Sequence, residues 1–246
     1  MRSNLLVGIS SAVAAVAVAG SASAGIAPSV IDNFASSYSL TGDASNGGEV
    51  FSGGAYGSPI GFSQRNVDIF SSNANSGRVL TWDLASSGSG WAIATRTAGG
   101  TGTFTSTRYA GFSITYSGTS LDMSDAESFS VSYSGNTLGS NALASAFMTV
   151  TVYTGTAHEY TKVRLAGTPS GTISFNKSSF GALWGVVNWS SINQIILGFE
   201  LDALVGAPTN SSLGSITLTN FSYVPAPGAA ALVGVAGLLS ARRRKA

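Results

Sequence analysis

The chain reads Phe112-Ser113-Ile114-Thr115-Tyr116 and then Phe129-Ser130-Val131-Ser132-Tyr133. In both stretches a large apolar side chain alternates with a small polar one. Because successive side chains of a strand point to opposite faces of a sheet, the alternation predicts strands with one buried and one exposed face. Clusters of Gly, Ser and Asn separate these stretches, as turns do. The same period recurs in two further sets: Met148, Val150 and Val152; and Ile195, Leu197, Phe199 and Leu201.

The predicted fold is all-β, a β-sandwich of the jelly-roll type, because a dozen or so short strands fill one domain of roughly 200 residues. In the last predicted strand, Ile216 and Leu218 share one face whereas Phe221 falls on the other. A bulge near Asn220 is expected to reconcile them. The segment 176–192 has the weakest strand pattern, and a short helical turn capped by Ser190 or Ser191 is expected there.

The first and last strands also carry a resemblance. The opening Ile31-Asp32-Asn33-Phe34 and the closing Leu218-Thr219-Asn220-Phe221 resemble the paired terminal strands of galactose-binding-like jelly rolls. The resemblance implies that the two ends of the domain pair with each other. It bears on fold, since sites rather than folds decide function.

The charge balance excludes whole classes of function. Only 9% of the residues are charged, and seven of the 12 basic residues but all 11 acidic ones lie between positions 25 and 224. A domain of net charge about −4 without a basic cluster does not suit nucleic acid, whose phosphates need Lys and Arg. The chain has no cysteine, which excludes thiolate zinc sites and thiol nucleophiles. A single histidine, His158, excludes multi-histidine metal centres.

The N-terminus is predicted to be a secretory signal peptide spanning residues 1–24. Arg2 supplies the positive charge, an apolar run follows from Leu5 to Ala19, and small residues precede the cleavage point at Ala22-Ser23-Ala24. We therefore expect signal peptidase to act on Ala22 and Ala24, and the exported chain to begin at Gly25.

The C-terminus, residues 225–246, combines three features in order. The stretch Val224-Pro225-Ala226-Pro227-Gly228 precedes a weakly apolar run from Gly228 to Ala241, and Arg242, Arg243, Arg244 and Lys245 follow. The run is expected to form a short hydrophobic transmembrane helix, although it is shorter than the ~20 residues that span a bilayer comfortably. The basic cluster is expected to stay on the cytoplasmic side as a membrane stop, leaving residues 25–224 outside.

This order of features resembles the PEP-CTERM sorting signal of exported bacterial proteins, in which Pro-Glu-Pro precedes a transmembrane stretch and an arginine cluster. Here Ala226 stands where that family usually has Glu. The resemblance implies an exosortase-type sorting enzyme as a partner and an exopolysaccharide matrix as the setting. It also implies localisation to the cell envelope, cell surface or extracellular space after transient anchoring in the inner membrane.

Catalysis has little support in the sequence. His158 lies beside Glu159 on a predicted strand, and no Gly-x-Ser-x-Gly nucleophile elbow occurs. An ordinary strand histidine is the favoured interpretation. A glycoside hydrolase would need two carboxyl groups about 5–10 Å apart, and no second motif marks an acid or a base. The carboxylates available for such a pair are Glu49, Asp68, Asp83, Glu127, Glu159, Glu200 and Asp202.

No cofactor and no metal site is predicted. The turns Asp122-x-x-Asp125-x-Glu127 and Asp43-x-x-Asn46 are oxygen-rich, so Ca²⁺ is the one ion they could hold. Their spacing does not match an EF-hand loop. Turns stabilised by hydrogen bonds from Asp and Asn side chains to the backbone are the favoured interpretation.

Four tryptophans offer aromatic rings that can stack on sugar rings. Trp82 ends an alternating strand and is expected in the core, whereas Trp184 and Trp189 lie in the irregular segment and are the candidates for carbohydrate stacking. The leading hypothesis is a non-enzymatic structural or interaction protein of the cell surface or extracellular matrix. The alternative is a carbohydrate-binding module acting on exopolysaccharide through these two rings, and a glycoside-active enzyme is third.

Overall fold

A computed structural model gives the architecture. It describes residues 29–35, 39–43, 49–53, 61–72, 79–87, 90–98, 108–142, 144–203 and 212–226. The predicted signal peptide and its cleavage residues Ala22 and Ala24 lie outside the described residues. So do Asn46 of the second acidic turn, Pro227, Gly228, the C-terminal apolar run and the basic cluster at 242–245. Among the described residues, no helix is long and apolar enough to cross a membrane.

Two antiparallel seven-stranded sheets are formed within the described residues. The first sheet contains β1 (Ser29–Asp32), β2 (Ser39–Asp43), β5 (Val79–Ser87), β6 (Gly90–Ala98), β8 (Ala126–Ser134), β11 (Gly171–Asn176) and β14 (Ser212–Pro225). The second contains β3 (Glu49–Gly53), β4 (Gln64–Ser72), β7 (Arg108–Leu121), β9 (Ala144–Thr154), β10 (Ala157–Arg164), β12 (Gly181–Trp184) and β13 (Ile192–Ala203). From β7 onward the chain passes repeatedly from one sheet to the other.

The strand order confirms the predicted β-sandwich of jelly-roll type. The first sheet runs β11-β8-β14-β6-β5-β2 with β1 also on β14, and the second runs β12-β10-β9-β13-β7-β4-β3. Strands far apart in sequence are thus neighbours, as in Greek-key and jelly-roll sandwiches. The predicted pairing of the two terminal strands is also present, with Asp32 opposite Phe221.

The alternating side chains form the core between the sheets. Phe112, Ile114 and Tyr116 of β7 are fully buried, as are Phe129 and Val131 of β8. Rings from the two sheets meet there: the centroids of Tyr116 and Phe221 are 5.7 Å apart. The polar residues between them face outward, so β7 and β8 each have an apolar inner face and a polar outer face here.

The last strand contains the expected bulge. The register of β14 against β8 shifts between Leu218 and Asn220, so that Thr219 is the extra residue. Leu218 and Phe221 are consequently both buried although three positions separate them. A one-residue insertion re-aims every following side chain, which is why the apolar pattern changes parity here.

The segment 176–192 differs from the expectation in detail. A single 3₁₀ turn, Lys177–Ser179, follows Asn176 at its start, and the short strand β12 comes next. Ser190 does not cap that turn: its backbone N–H and its hydroxyl both bond to the Asn188 side chain. The helical turn formed where the chain leaves β11, because β12 pairs with β10 and holds residues 181–184 extended.

Candidate functional site

The outer face of the second sheet carries a row of aromatic side chains at one end. Trp184 of β12 lies opposite His158 of β10, and His158 lies opposite Tyr153 of β9. Residues opposite each other in a sheet share a face. The neighbours of Tyr153 in sequence point inward, since Val152 is fully buried. The three rings therefore form one outward-facing strip, here called the aromatic row, in which Trp184 is exposed and the other two rings are half-buried.

The row continues with uncharged polar side chains. Gln194 of β13 lies opposite Tyr153, Ser117 of β7 lies opposite Gln194, and Gln64 of β4 lies opposite Ser117. Ser117 and Gln64 are within 3.5 Å of each other, hydroxyl to amide oxygen. With strands about 4.8 Å apart, the six positions from Trp184 to Gln64 span roughly 24 Å across the sheet. The strip therefore has aromatic rings at one end and uncharged hydrogen-bonding side chains at the other.

Trp184 is the most exposed ring of the row, with 69% of its surface accessible. It ends β12, which is an edge strand with all four residues exposed. The chain then turns at Gly185, whose φ of +70° favours glycine. A Cβ at Gly185 would also come 3.2 Å from that of Ala157. This tight turn against the start of β10 fixes where the strand ends and where its last ring is presented.

His158 and Tyr153 hold each other in place. Their ring centroids are 4.8 Å apart with an interplanar angle of 24°. The His158 Nδ1 lies 3.1 Å from the carbonyl oxygen of Thr156, and because a carbonyl only accepts, Nδ1 is the donor in this hydrogen bond. The hydrogen bond does not involve Nε2, the other ring nitrogen. Burial raises the pKa of the Tyr153 phenol, which keeps it a neutral donor.

A charged cluster lies beside the row on the same face. Lys162 and Glu200 form an ion pair, and the Lys162 ammonium lies 4.1 Å above the ring of Phe147. Burial, together with the charge and hydrogen bond of Glu200, raises the pKa of Tyr160 to about 12. Tyr160 therefore stays neutral at any physiological pH.

We expect the Tyr160 phenol to ionise about two pH units above ordinary tyrosine in the folded chain. Since the raised pKa means that the folded state holds this proton more tightly, stability falls as pH rises from 10 towards 12. Absorbance titration of the phenolates would show it, because Tyr160→Phe should remove one late-titrating group. A difference curve centred at pH 10 would contradict the assignment.

The structure separates the two candidate tryptophans. Trp189 is half-buried and packs edge-on against Phe180, with centroids 5.6 Å apart. The Lys177 ammonium lies 4.4 Å above its ring. Trp189 thus closes the rim of the core, whereas Trp184 faces outward on the sheet.

The carboxylates near these residues have partners. Glu200 pairs with Lys162, and Glu159 accepts the Val187 backbone N–H at 3.2 Å. The Asp122 carboxylate accepts the Ser124 backbone N–H at 2.9 Å, and its hydrogen bonds with Ser124 lower its pKa. In the part of the chain that the structure describes, no three His, Asp or Glu side chains are grouped to hold a metal ion.

Sequence reasoning missed Tyr153 and His158 as members of a surface. A signal for them existed, because they flank the tight Gly155-Thr156 turn of the β9–β10 hairpin and are therefore opposite each other. The pairing of His158 with Trp184, 26 positions further on, had no such local signal. It depends on β12 returning to the edge of the sheet.

The chain was compared with known proteins. No protein-family model matches it, and no curated protein sequence resembles it. Among solved structures it is similar to the family 11 carbohydrate-binding module of a cellulosomal cellulase of Clostridium thermocellum. The two sequences are 15% identical, and the TM-score is 0.40. The match covers 65% of this chain and 88% of the module. A module of the same family from that organism, in complex with a β-1,3-1,4-mixed-linked tetrasaccharide, has 17% identity, coverage of 65% and 89%, and a TM-score of 0.39.

An enzyme is among the similar structures as well. The family 11 xylanase of Neocallimastix patriciarum has 10% identity, covers 77% of this chain over its own full length, and gives a TM-score of 0.36.

Proposed function

We propose that the domain is a non-catalytic polysaccharide-binding module of an exported protein, and that the aromatic row is its binding surface. The observation that carries the proposal is Trp184, a large ring that is 69% exposed and stands in register with two further rings, His158 and Tyr153. A single exposed ring is ordinary, but rings that adjoin one another on one face of a sheet form a contiguous patch of the kind that marks a binding site.

A sugar fits the chemistry of the row better than a charged ligand. The C–H faces of a pyranose ring stack on aromatic rings, and its hydroxyls form hydrogen bonds with uncharged donors and acceptors. Gln194, Ser117 and Gln64 supply amides and a hydroxyl in line with the rings. A strip of roughly 24 Å, set by six strands about 4.8 Å apart, accommodates an extended chain of several sugar units.

Export and sorting complete the proposal. A signal peptide at residues 1–24 would deliver the domain across the membrane, and the tail from Pro225 would hold it there until an exosortase-type enzyme acts. The apolar run and the basic cluster at 242–245 support that part through the positive-inside rule. The exopolysaccharide of the producing cell is then the glycan within reach of the domain.

A glycan array followed by titration calorimetry on the purified exported chain tests the proposal. Trp184→Ala is expected to weaken binding about 10- to 100-fold, since covering an indole is worth about 1.5–3 kcal/mol. Trp184→Tyr should restore part of the affinity because it keeps a ring.

Leu183→Ala is the matched control, because Leu183 is 59% exposed on the same strand but is the extra residue at the register shift, so that Trp184 and not Leu183 lies opposite His158. It should leave the affinity unchanged. Failure to bind any polysaccharide, or equal losses in Trp184→Ala and Leu183→Ala, would contradict the proposal.

A further inference from the structure

Both ends of the described domain emerge on the same side of the sandwich. β1 is antiparallel to β14, with Ser29 opposite Tyr223. The first residue of β1 and the last of β14 therefore lie at one end. There Ala226 donates its backbone N–H to the Asp125 carbonyl oxygen at 2.7 Å, just past the strand. We call this the terminal end.

The terminal end also carries the exposed apolar residues. Leu121, which leads into the Asp122–Asp125 turn, lies opposite Ile192 at the start of β13. Gln194, two residues further along β13, lies opposite Tyr153 on the neighbouring strand. The aromatic row continues from Tyr153 through His158 to Trp184, so that Trp184 lies at the same end of the sheet. Within the described part of the chain the large exposed apolar side chains are Leu183 (59%), Trp184 (69%) and Val186 (83%). These three residues, the apolar trio, thus lie near the point where the chain leaves the domain.

A membrane-inserted apolar run would bring this end close to the bilayer, because little chain separates the two. The apolar run begins at Gly228, two residues after Ala226. Two residues span at most about 7 Å even when fully extended. If the run inserts into a bilayer, the terminal end has to rest near its surface. A domain held on so short a tether cannot turn this end away from the lipid.

From this geometry we propose that the apolar trio contacts the lipid surface while the tail is inserted. The inference rests on the proposed tail anchor. Trp, Leu and Val suit the boundary between headgroups and acyl chains, and Trp is the residue enriched at such interfaces. Trp184 then has two successive partners, lipid in the anchored chain and glycan in the released one.

The test uses the exported chain with its tail, reconstituted into phosphatidylcholine vesicles whose acyl chains carry bromine near the headgroups. Neutral lipid is chosen because Asp122, Asp125 and Glu159 lie around this end. Bromine quenches only tryptophans in contact with the lipid. We expect part of the tryptophan fluorescence to be quenched, and Trp184→Phe to abolish that quenching.

Trp189→Phe is the matched control, because its ring packs against Phe180 at the core rim. It should leave the quenching in place. Vesicle flotation tests the membrane anchor independently of the lipid contact made by Trp184. A chain that floats with the vesicles without Trp184-dependent quenching is anchored but overturns the lipid contact. A chain that does not float contradicts both the membrane anchor and the lipid contact. Glycan binding by the aromatic row is measured in a separate experiment and does not depend on this result.

Discussion

Asp32→Ala is expected to lower the free energy of unfolding by about 3–5 kcal/mol, the cost of leaving a buried charge without its partner. Asp32 is fully buried and Arg65 is 6% exposed. The Arg65 Nη1 donates to Asp32 Oδ2 at 2.9 Å, and the Tyr116 hydroxyl donates to the same oxygen at 3.0 Å. The other oxygen accepts the Phe34 backbone N–H at 2.7 Å.

This network joins the two sheets through the first strand. Asp32 belongs to β1 of the first sheet, whereas Arg65 lies on β4 and Tyr116 on β7 of the second. The Arg65 guanidinium also lies 4.2 Å from the centroid of Trp91 on the first sheet. Removing the carboxylate therefore breaks the ion pair with Arg65 and the hydrogen bond from Tyr116, which tie β1 to the second sheet.

Urea unfolding followed by circular dichroism measures the effect. Glu200→Gln serves as the matched control, because it breaks the partly exposed pair with Lys162 and should cost less than about 1 kcal/mol. If the free energy of unfolding of Asp32→Ala lies within about 1 kcal/mol of the wild-type value, the buried ion pair does not hold β1 to the second sheet.

Replacing Arg242, Arg243, Arg244 and Lys245 with glutamine is expected to release the chain into the medium with its tail intact. These charges are the ones that resist translocation of the short apolar run. The wild-type chain should instead stay with the membrane or appear trimmed at its C-terminus. Cell fractionation combined with intact-mass measurement distinguishes these products.

The structure also restricts where trimming can fall. Pro225 is buried at the end of β14, and Ala226 is hydrogen-bonded to the Asp125 carbonyl oxygen. A processing enzyme would have to unpair the strand to cut before Ala226, so the mature C-terminus is expected at Ala226 or beyond. Arg164→Gln, which removes an exposed charge from the domain, should change neither location nor mass. The same location and C-terminus for the four-residue variant and the wild type would contradict a sorting role for the tail.

Much of the fold could be predicted because the two-residue period of apolar side chains identifies the strands and their buried faces. The alternation in 112–116 and 129–133 identified two strands at the centre of the core, and the parity change after Leu218 identified the bulge. Both are local signals, since the side-chain period of a strand is two. The resemblance to the terminal strands of galactose-binding-like jelly rolls implied that the first and last strands pair, and in the structure Asp32 lies opposite Phe221.

The buried ion pair and the Trp184 end of the aromatic row depend on contacts that have no local signal. The Asp32–Arg65 pair joins residues 33 positions apart, and the aromatic row depends on β12 returning to β10 with a register shift next to His158. The two candidate tryptophans are five positions apart, yet one packs against Phe180 and the other faces outward. Which ring is exposed is decided by how the chain folds after the 3₁₀ turn.

The indole N–H signals of the ¹⁵N-labelled chain test the central claim most directly, in a titration with the glycan that the array selects. We expect the signal that disappears in Trp184→Phe to shift in proportion to binding, together with signals of Tyr153, His158 and Gln194. The signal of Trp91, which is fully buried, should stay in place. Shifts confined to the outer face of the first sheet, around Ser132 and Thr172, or no shift of the Trp184 signal at saturation, would contradict the assignment of the aromatic row as the polysaccharide-binding surface.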